Sequence, residues 1–444
     1  MAASIDRCRI FVVHKLPIEM IKKTELANGI LVLSEQIPQF ASCSLGVWVQ
    51  SGTRCDEPYN LGMAHFLEHM LFKGTQQRTA LRLAQDMDLL GGRMNAFTEQ
   101  EQTCLYTVVL SEHVAQAFEI LADMLVNSSF DKAELRREQG VVCEEIKMVE
   151  DETDELASDL FYASIWPNHP LGKPIQGTIE SVQSFTQNRL FEYLHRHYKP
   201  ERIIVAAAGA IEHKNLVQLA DRYLQRDWLV RRSIAQLDGE VGPKLWWASP
   251  PGGRPKSAVL TTVKYRPTEQ VSICCGWQCL AQDDRRGCIL SILDSVLGGS
   301  LSCRLFQEIR EKSGLAYSVE TFRSTYSDAG LFGVEVSCSA ANVSAVMDSI
   351  RKIFRDILAE GITEDELERA RQHIKSSYAL SLESSFGRMS CLVQNERVWG
   401  RQISLEELGQ DLDRVKNNDI VAFAREFFDL DKLTIAAAGP IYSL

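Results

Sequence analysis

The sequence predicts an α+β protein with two homologous domains, each a sheet with helices on one face. In both halves of the 444-residue chain, short β-rich runs alternate with long amphipathic helices, a pattern that favours sheets backed by helices. The halves also repeat. Residues 203–211 (IIVAAAGAI) align with residues 433–441 (LTIAAAGPI) at an offset of 230, and Trp48 and Trp277 close similar apolar strands at an offset of 229.

A Gly/Pro-rich stretch, 236–258, separates the two copies. It contains Gly-Pro at 242–243 and Pro-Pro-Gly-Gly at 250–253, a density that is typical of linkers. We therefore place the first domain at 1–235 and the second at 259–444. The length of the chain, which exceeds that of one ordinary domain, agrees with this division.

The segment 65–69, His-Phe-Leu-Glu-His, carries the clearest chemical signal. Apolar residues recur around it at helical spacing, so we predict an amphipathic helix with Asn60 as its N-cap. On such a helix His65 and His69 share a face and can bind one tetrahedral Zn²⁺ ion. Glu68 is then the candidate general base, which takes a proton from the zinc-bound water. The alternative is a pair of histidines that only borders the core.

A second predicted helix supplies the third ligand. Leu135, Glu138, Val142 and Glu145 recur at spacings of three and four, which puts two carboxylates on an otherwise apolar stripe. A buried carboxylate without a partner is costly, so each needs a metal, a histidine or a cation. Glu145 fits as the zinc ligand and Glu138 as its support, whereas Glu144 should face away. A structural ion pair is the alternative for both.

Residues 60–75 resemble the active-site helix of the pitrilysin superfamily of zinc peptidases, in its mitochondrial-processing-peptidase-like branch. In that family the third zinc ligand is a glutamate 76 residues beyond the second histidine, which maps to Glu145, and a supporting glutamate seven residues earlier maps to Glu138. The resemblance implies one Zn²⁺ per chain and a zinc metalloendopeptidase that forms no covalent intermediate. Glu68 would pass the proton to the leaving amine.

The resemblance also makes the fold more definite: two homologous domains, each a mostly antiparallel β-sheet backed by α-helices. It covers nearly all 444 residues. The same offset of 229 places Asp294 opposite His65, Leu297 opposite Glu68 and Gly298 opposite His69. The second domain therefore lacks the zinc site and is expected to contribute substrate contacts instead.

Segment 91–98 resembles the family's edge strand, to which an extended peptide adds through backbone hydrogen bonds. Asn95 and Ala96 are its candidate substrate contacts. Without the resemblance, this segment predicts only a glycine turn that leads into a strand.

Segment 304–317 resembles the family's Arg/Tyr motif, in which a cation and a phenol contact the substrate and steady the developing oxyanion. Arg310 and Tyr317 match that pair. Taken alone, this segment predicts a charged helix that ends at a glycine, Gly314.

Family geometry places the Arg/Tyr pair against the zinc of the other half of a four-domain clamshell. Because one chain has only two such domains, we expect a homodimer in which Arg310 and Tyr317 act in trans on unfolded or extended peptides. Two alternatives stay open. The chain could be a catalytic subunit that needs a different partner, or a non-catalytic core subunit of a larger complex, although the zinc motif of such subunits is typically damaged.

The composition indicates which partners the protein could bind and in which compartment we expect it. A net charge of −11 argues against nucleic acid and favours basic peptides. The acidic run 150–155 could attract them, although such runs are more often solvated helix ends. The cysteines lie among apolar residues and read as buried free thiols. We expect no membrane span and no signal peptide, and hence a cytoplasmic protein, or a matrix protein if the chain is mitochondrial.

Overall fold

The computed structural model describes residues 20–224 and 250–444. The predicted domain boundary near residue 235, and most of the predicted linker, lie outside these residues. The first described range contains β1 (Ile21–Glu25), β2 (Leu31–Gln36), β3 (Ser42–Val49), α1 (Met63–Leu71), α2 (Ala80–Leu89), β4 (Arg93–Thr98), β5 (Thr103–Leu110), α3 (Val114–Asn127), α4 (Lys132–Asp151), α5 (Thr153–Ile165), α6 (Ile179–Gln183), α7 (Gln187–His197), β6 (Ile203–Gly209) and α8 (His213–Tyr223).

The second described range repeats the alternation of strands and helices. It contains β7 (Thr261–Tyr265), β8 (Gln270–Cys279), α9 (Gly287–Leu297), β9 (Ala316–Thr325), β10 (Gly330–Ser339), α10 (Val343–Glu360), α11 (Glu364–Ser381), α12 (Ser385–Trp399), α13 (Leu405–Arg414), α14 (Asn417–Phe427) and β11 (Thr434–Gly439).

Each half builds one sheet, and the two sheets share a topology. The strand orders are β1-β2-β6-β3-β5-β4 and β7-β11-β8-β10-β9, so β1 is the additional strand of the first sheet. All neighbouring strands are antiparallel except β2 with β6 and β7 with β11, which are parallel. The repeated AAAG segments are β6 and β11, at equivalent places in the two sheets. The predicted fold of two mostly antiparallel sheets backed by helices is confirmed.

The fixed offset between the halves does not extend into the motif helix. The loop before α9 (280–286) is shorter than the loop before α1 (50–62), so α9 begins only 224 residues after α1. When α1 and α9 are aligned from their first residues, His65, Glu68 and His69 correspond to Ile289, Ile292 and Leu293. The predicted counterparts, Asp294, Leu297 and Gly298, lie five residues further along the chain. Neither set provides three metal ligands.

The two halves exchange a helix. The first half's α5 packs on the second sheet, where Phe161 and Trp166 bury against Leu331 and Ala436. The second half's α12 packs on the first sheet, where Met389 lies in one cluster with other apolar side chains, among them Leu33, Trp48 and Ile204. The prediction of helices on one face is therefore incomplete, because the exchanged helix covers the other face of each sheet. The second sheet thus fixes the position of α5.

Two smaller predictions concern cysteines and membrane spans. Nine of the eleven described cysteines are buried, and within the described ranges all are free thiols, as the sequence indicates. Burial raises the pKa of several of these thiols, to about 12 for Cys275. None of the helices in the described ranges combines the length and apolar character that crossing a bilayer requires.

Candidate active site

Helix α1 is held at its N-terminus by an aspartate that the sequence does not reveal. The N-cap is Gly62 rather than the predicted Asn60, and its φ of 85° favours glycine. The Asp56 carboxylate accepts hydrogen bonds from the backbone N–H groups of Gly62 (2.8 Å) and Ala64 (3.2 Å). A Cβ at Gly62 would lie 2.2 Å from the carbonyl oxygen of Gln176. These contacts set the position of the helix that carries the motif.

Helices α1 and α4 bring three donor side chains together. The Nε2 atoms of His65 and His69 lie 3.2 Å apart, and each is 3.6 Å from a different carboxylate oxygen of Glu145. Ligands around a tetrahedral Zn²⁺ with bonds of about 2.0–2.1 Å stand roughly 3.3 Å apart. The three observed separations are close to that value. Within the described ranges, no other cluster of three such residues could hold a metal ion.

The surroundings shift the pKa values of the two histidines in opposite directions. Burial and the neighbouring His69 lower the pKa of His65 to about 3, so His65 is neutral at pH 7. Burial acts against the charged form of His69 as well. The hydrogen bond to Glu138 and the surrounding carboxylates outweigh it and raise the pKa of His69.

Glu138 is buried and contacts two nitrogen atoms at once, one of His69 and one of Lys73. One of its carboxylate oxygens lies 2.9 Å from His69 Nδ1, and the other lies 2.8 Å from Lys73 Nζ. Burial raises the pKa of Glu138, but the contacts with His69 and Lys73 lower it more, so the carboxylate stays ionised. The contact of His69 Nδ1 with Glu138 leaves Nε2 as the ring nitrogen that faces the donor cluster, where it can bind a metal once it is deprotonated. The sequence singled out Glu138; Lys73, one helical turn after His69, went unnoticed.

Glu68 lies beside the donors and is held by one hydroxyl group. Thr98, the last residue of β4, donates to Glu68 Oε2 at 2.6 Å. Burial raises the pKa of Glu68, and the hydrogen bond from Thr98 offsets part of that rise. A carboxylate with a raised pKa is suited to taking up a proton and giving it back near neutral pH. Glu144, by contrast, is exposed and pairs with Lys147, so it faces away from the donor cluster as predicted.

A cleft of about 400 Å³ opens onto Glu68 and His65, and α5 forms one of its walls. Two acidic residues of that helix, Glu155 and Asp159, line the cleft. Burial and the nearby Glu155 raise the pKa of Asp159 to about 6. Glu155 closes the predicted acidic run. Asp159 was missed, although its spacing of four residues from Glu155 would have placed it on the same helix face.

The predicted substrate strand is β4, which lies at the edge of the first sheet and, among the strands of the described ranges, pairs only with β5. Asn95 and Ala96 lie in its centre, opposite Tyr106 and Leu105 of β5. The other side of this strand is therefore open to a further strand, the arrangement that β-strand addition requires.

Arg310 and Tyr317 lie together in the second half, at 5.7 Å from guanidinium carbon to ring centroid. The predicted charged helix is a π-helix, Phe306–Lys312, and the left-handed Gly314 (φ 58°) follows it. The Tyr317 side chain is 73% exposed. Across the described ranges, no hydrogen bond, ion pair or ring contact joins either residue to the α1 donors of the same chain.

Comparison with known proteins agrees with this geometry. The family model described as insulinase (peptidase family M16) matches residues 31–179, and the peptidase M16 inactive domain matches residues 184–374. An uncharacterized zinc protease of Bacillus subtilis is 36% identical over 93% of this chain and 97% of its own length. One from Streptomyces coelicolor is 32% identical over 99% of this chain and 94% of its own length.

Two solved structures share the fold. A protease from Helicobacter pylori superposes with a TM-score of 0.83 at 20% identity, covering 94% of this chain and 99% of that one. A peptidase M16 inactive domain from Pseudomonas fluorescens gives 0.81 at 19% identity, covering 95% and 99%. At 20% and 19% identity, these two structures show only that the fold is shared. The family assignment rests on the two zinc proteases at 36% and 32% identity. The chain belongs to peptidase family M16, and relatives that match it along nearly their whole length are named zinc proteases.

Proposed function

We propose that this protein is a zinc metalloendopeptidase that hydrolyses peptide bonds in unfolded or extended peptides. The observation that carries the proposal is the convergence of His65, His69 and Glu145 beside Glu68, at one end of an open edge strand. Two imidazoles and a carboxylate form a donor set that Zn²⁺ accepts in catalytic sites, with a coordination position left for water or substrate.

His65, His69 and Glu145 would hold one zinc ion per chain. When bound, zinc supplies Lewis acidity that polarises the scissile carbonyl and lowers the pKa of water to about 7. Glu68 takes the proton of the attacking water and delivers it to the leaving amine. Thr98 keeps the Glu68 carboxylate in place, and Glu138 keeps the His69 ring oriented.

The substrate binds as an added strand along β4. Backbone hydrogen bonds near Asn95 and Ala96 place the scissile bond over the donors and require an extended chain. A folded protein cannot present such a strand at this edge without local unfolding.

The acidic wall of the cleft favours a basic side chain in the substrate. Replacing both Glu155 and Asp159 by their amides should lower kcat/KM about 10-fold for a peptide with arginine near the cleft, since partly buried charge pairs contribute on this scale. A matched peptide with glutamine should lose little. Asp159 is protonated below its pKa of about 6, so the preference for arginine should strengthen as the pH rises through that value.

The control for this experiment is Glu144→Gln, which removes one exposed carboxylate from the neighbouring helix outside the cleft. Steady-state cleavage of the two peptides by all three proteins, from pH 5 to pH 8, checks the prediction. Equal losses for the arginine and glutamine peptides would contradict the proposed role of the acidic wall.

We also propose a homodimer in which Arg310 and Tyr317 of one chain complete the site of the other. Their exposure and the absence of described contacts with their own chain's donors support this arrangement. The alternatives are a required different partner and a non-catalytic core subunit. Peptide cleavage by the purified chain alone would argue against both.

A further inference from the structure

Arg54 is a fully buried arginine with all five of its N–H donors engaged. It donates to Glu101 (2.6 Å), to both carboxylate oxygens of Asp328 (2.8 Å each), and to the carbonyl oxygens of Pro251 (2.9 Å) and Gly253 (2.8 Å). A buried guanidinium needs this degree of pairing, because an unpaired charge in the interior is strongly unfavourable. We call Arg54, Glu101 and Asp328 the clasp.

The clasp joins the two halves of the chain at one turn. Glu101 lies in the β4–β5 turn (99–102), whereas Asp328 lies in the β9–β10 turn (326–329) of the second half. Ser327 adds two hydrogen bonds to Glu101, from its N–H at 2.9 Å and from its hydroxyl at 2.6 Å. Both carboxylate oxygens of Glu101 therefore contact the second half of the chain, through Ser327.

The same turn is also fixed through its backbone. The N–H groups of Thr53 and Arg54 donate to the carbonyl oxygens of Glu99 (3.2 Å) and Gln100 (2.7 Å). The approach at Gly52 is so close that a Cβ there would lie 2.0 Å from the carbonyl oxygen of Glu99. Backbone hydrogen bonds and close packing therefore join the loop that carries Arg54 to the β4–β5 turn.

The strand before this turn ends at Thr98, which donates to Glu68. The neighbouring Thr103 hydroxyl is 3.4 Å from that of Thr98 and donates its proton to the carbonyl oxygen of Ser51 at 2.8 Å. Thr98 donates instead to Glu68, whose carboxylate oxygen is nearer, at 2.6 Å. A displacement of the turn would move this donor and the substrate strand β4 together.

We propose that the clasp is a positioning device, through which the second half of the chain holds β4 and Thr98 in register with Glu68. Arg54, Glu101 and Asp328 are positioning residues that act through the turn and touch neither substrate nor metal. The proposal rests on the proposed function for its kinetic consequence. Its structural part, the restraint of the β4–β5 turn by the second half, is independent of any activity.

The test compares Asp328→Asn with Glu35→Gln in the full chain. Glu35 pairs with Arg388 of α12 at 2.6 Å, so Glu35→Gln weakens another ion pair between the halves, away from the turn. Asp328→Asn should speed amide hydrogen exchange in residues 95–103, and Glu35→Gln should not. Asp328→Asn should also lower kcat/KM about 10-fold or more at unchanged zinc content, since small misplacements near reacting groups are costly. Glu35→Gln should stay within about 2-fold.

Protection in residues 95–103 that is unchanged by Asp328→Asn, or lowered equally by both variants, would overturn the proposal. Hydrogen exchange needs no substrate, so this measurement tests the clasp even if the chain cleaves no peptide. A chain that cleaves no peptide would contradict the proposed function and leave the test of the clasp intact. If Asp328→Asn fails to fold, Ser327→Ala removes one hydrogen bond from the same turn without changing the charge. It should raise exchange in the same residues by a smaller factor, and no change there would overturn the proposal.

Discussion

Replacing Glu68 by glutamine is expected to lower kcat by about 10²–10⁴-fold, the range in which general acid–base catalysis contributes. Glutamine has nearly the same shape and can still accept the hydrogen bond from Thr98, but it cannot take up a proton. Zinc content should match that of the wild type, because Glu68 does not belong to the donor cluster of His65, His69 and Glu145. Steady-state kinetics and elemental analysis on the same preparation measure both quantities.

The companion variant is Glu145→Gln, which replaces a donor carboxylate and leaves Glu68 in place. It should lose zinc as well as activity, and zinc at concentrations that saturate the wild type should restore neither. The two variants therefore separate the base from the ligands. A Glu68→Gln protein that kept more than about a tenth of the wild-type kcat would show that another group moves the proton.

Mixing two inactive variants is expected to restore activity if the site is shared between chains. One variant carries Glu68→Gln, and the other carries Arg310→Ala with Tyr317→Phe. In a mixed dimer with contacts in trans, the intact Glu68 of one chain meets the intact Arg310 and Tyr317 of its partner. Random exchange at equal amounts should therefore recover about a quarter of the wild-type activity, because half of all dimers are then mixed and each mixed dimer has one intact site of two.

The control for the mixing experiment is each variant exchanged with itself, which should recover nothing. Subunit exchange is verified by tagging one variant and isolating mixed dimers before the assay. If verified mixed dimers stay inactive, the pair acts in cis or has no catalytic role. A chain that remains monomeric and fully active on dilution would remove the dimer from the proposal altogether.

Periodicity and spacing predict the candidate site residues that lie on the same helix. His65, Glu68 and His69 lie on one helix, so their shared face follows from 3.6-residue geometry. Glu145 lies on a second helix, and its place on an otherwise apolar stripe made it conspicuous. The structure brings Glu145 to both histidines, and the distance between the two helices does not follow from periodicity.

The residues that went unnoticed act across the fold. Asp56 binds the start of α1 from the preceding loop, outside the usual N-cap position, so no capping pattern pointed to it. Arg54 and Asp328 are 274 positions apart and meet where the two halves of the chain pack together. A single sequence reveals which face of a helix is buried, but not which distant element covers it. The start of α9 was also misplaced, because the loop before it is shorter than the loop before α1 while the strand pattern of the two halves is the same.

The central claim is that one zinc ion in the cluster of His65, His69 and Glu145 makes this chain a peptidase. The most direct test is to strip the purified chain with a chelator and add zinc back stepwise, while following cleavage of a quenched basic 20-residue peptide. The account predicts that activity rises in proportion to bound zinc and levels off at one ion per chain, with no such rise for Glu145→Gln. Zinc that binds at one ion per chain without any cleavage, or equally well to Glu145→Gln, would contradict it.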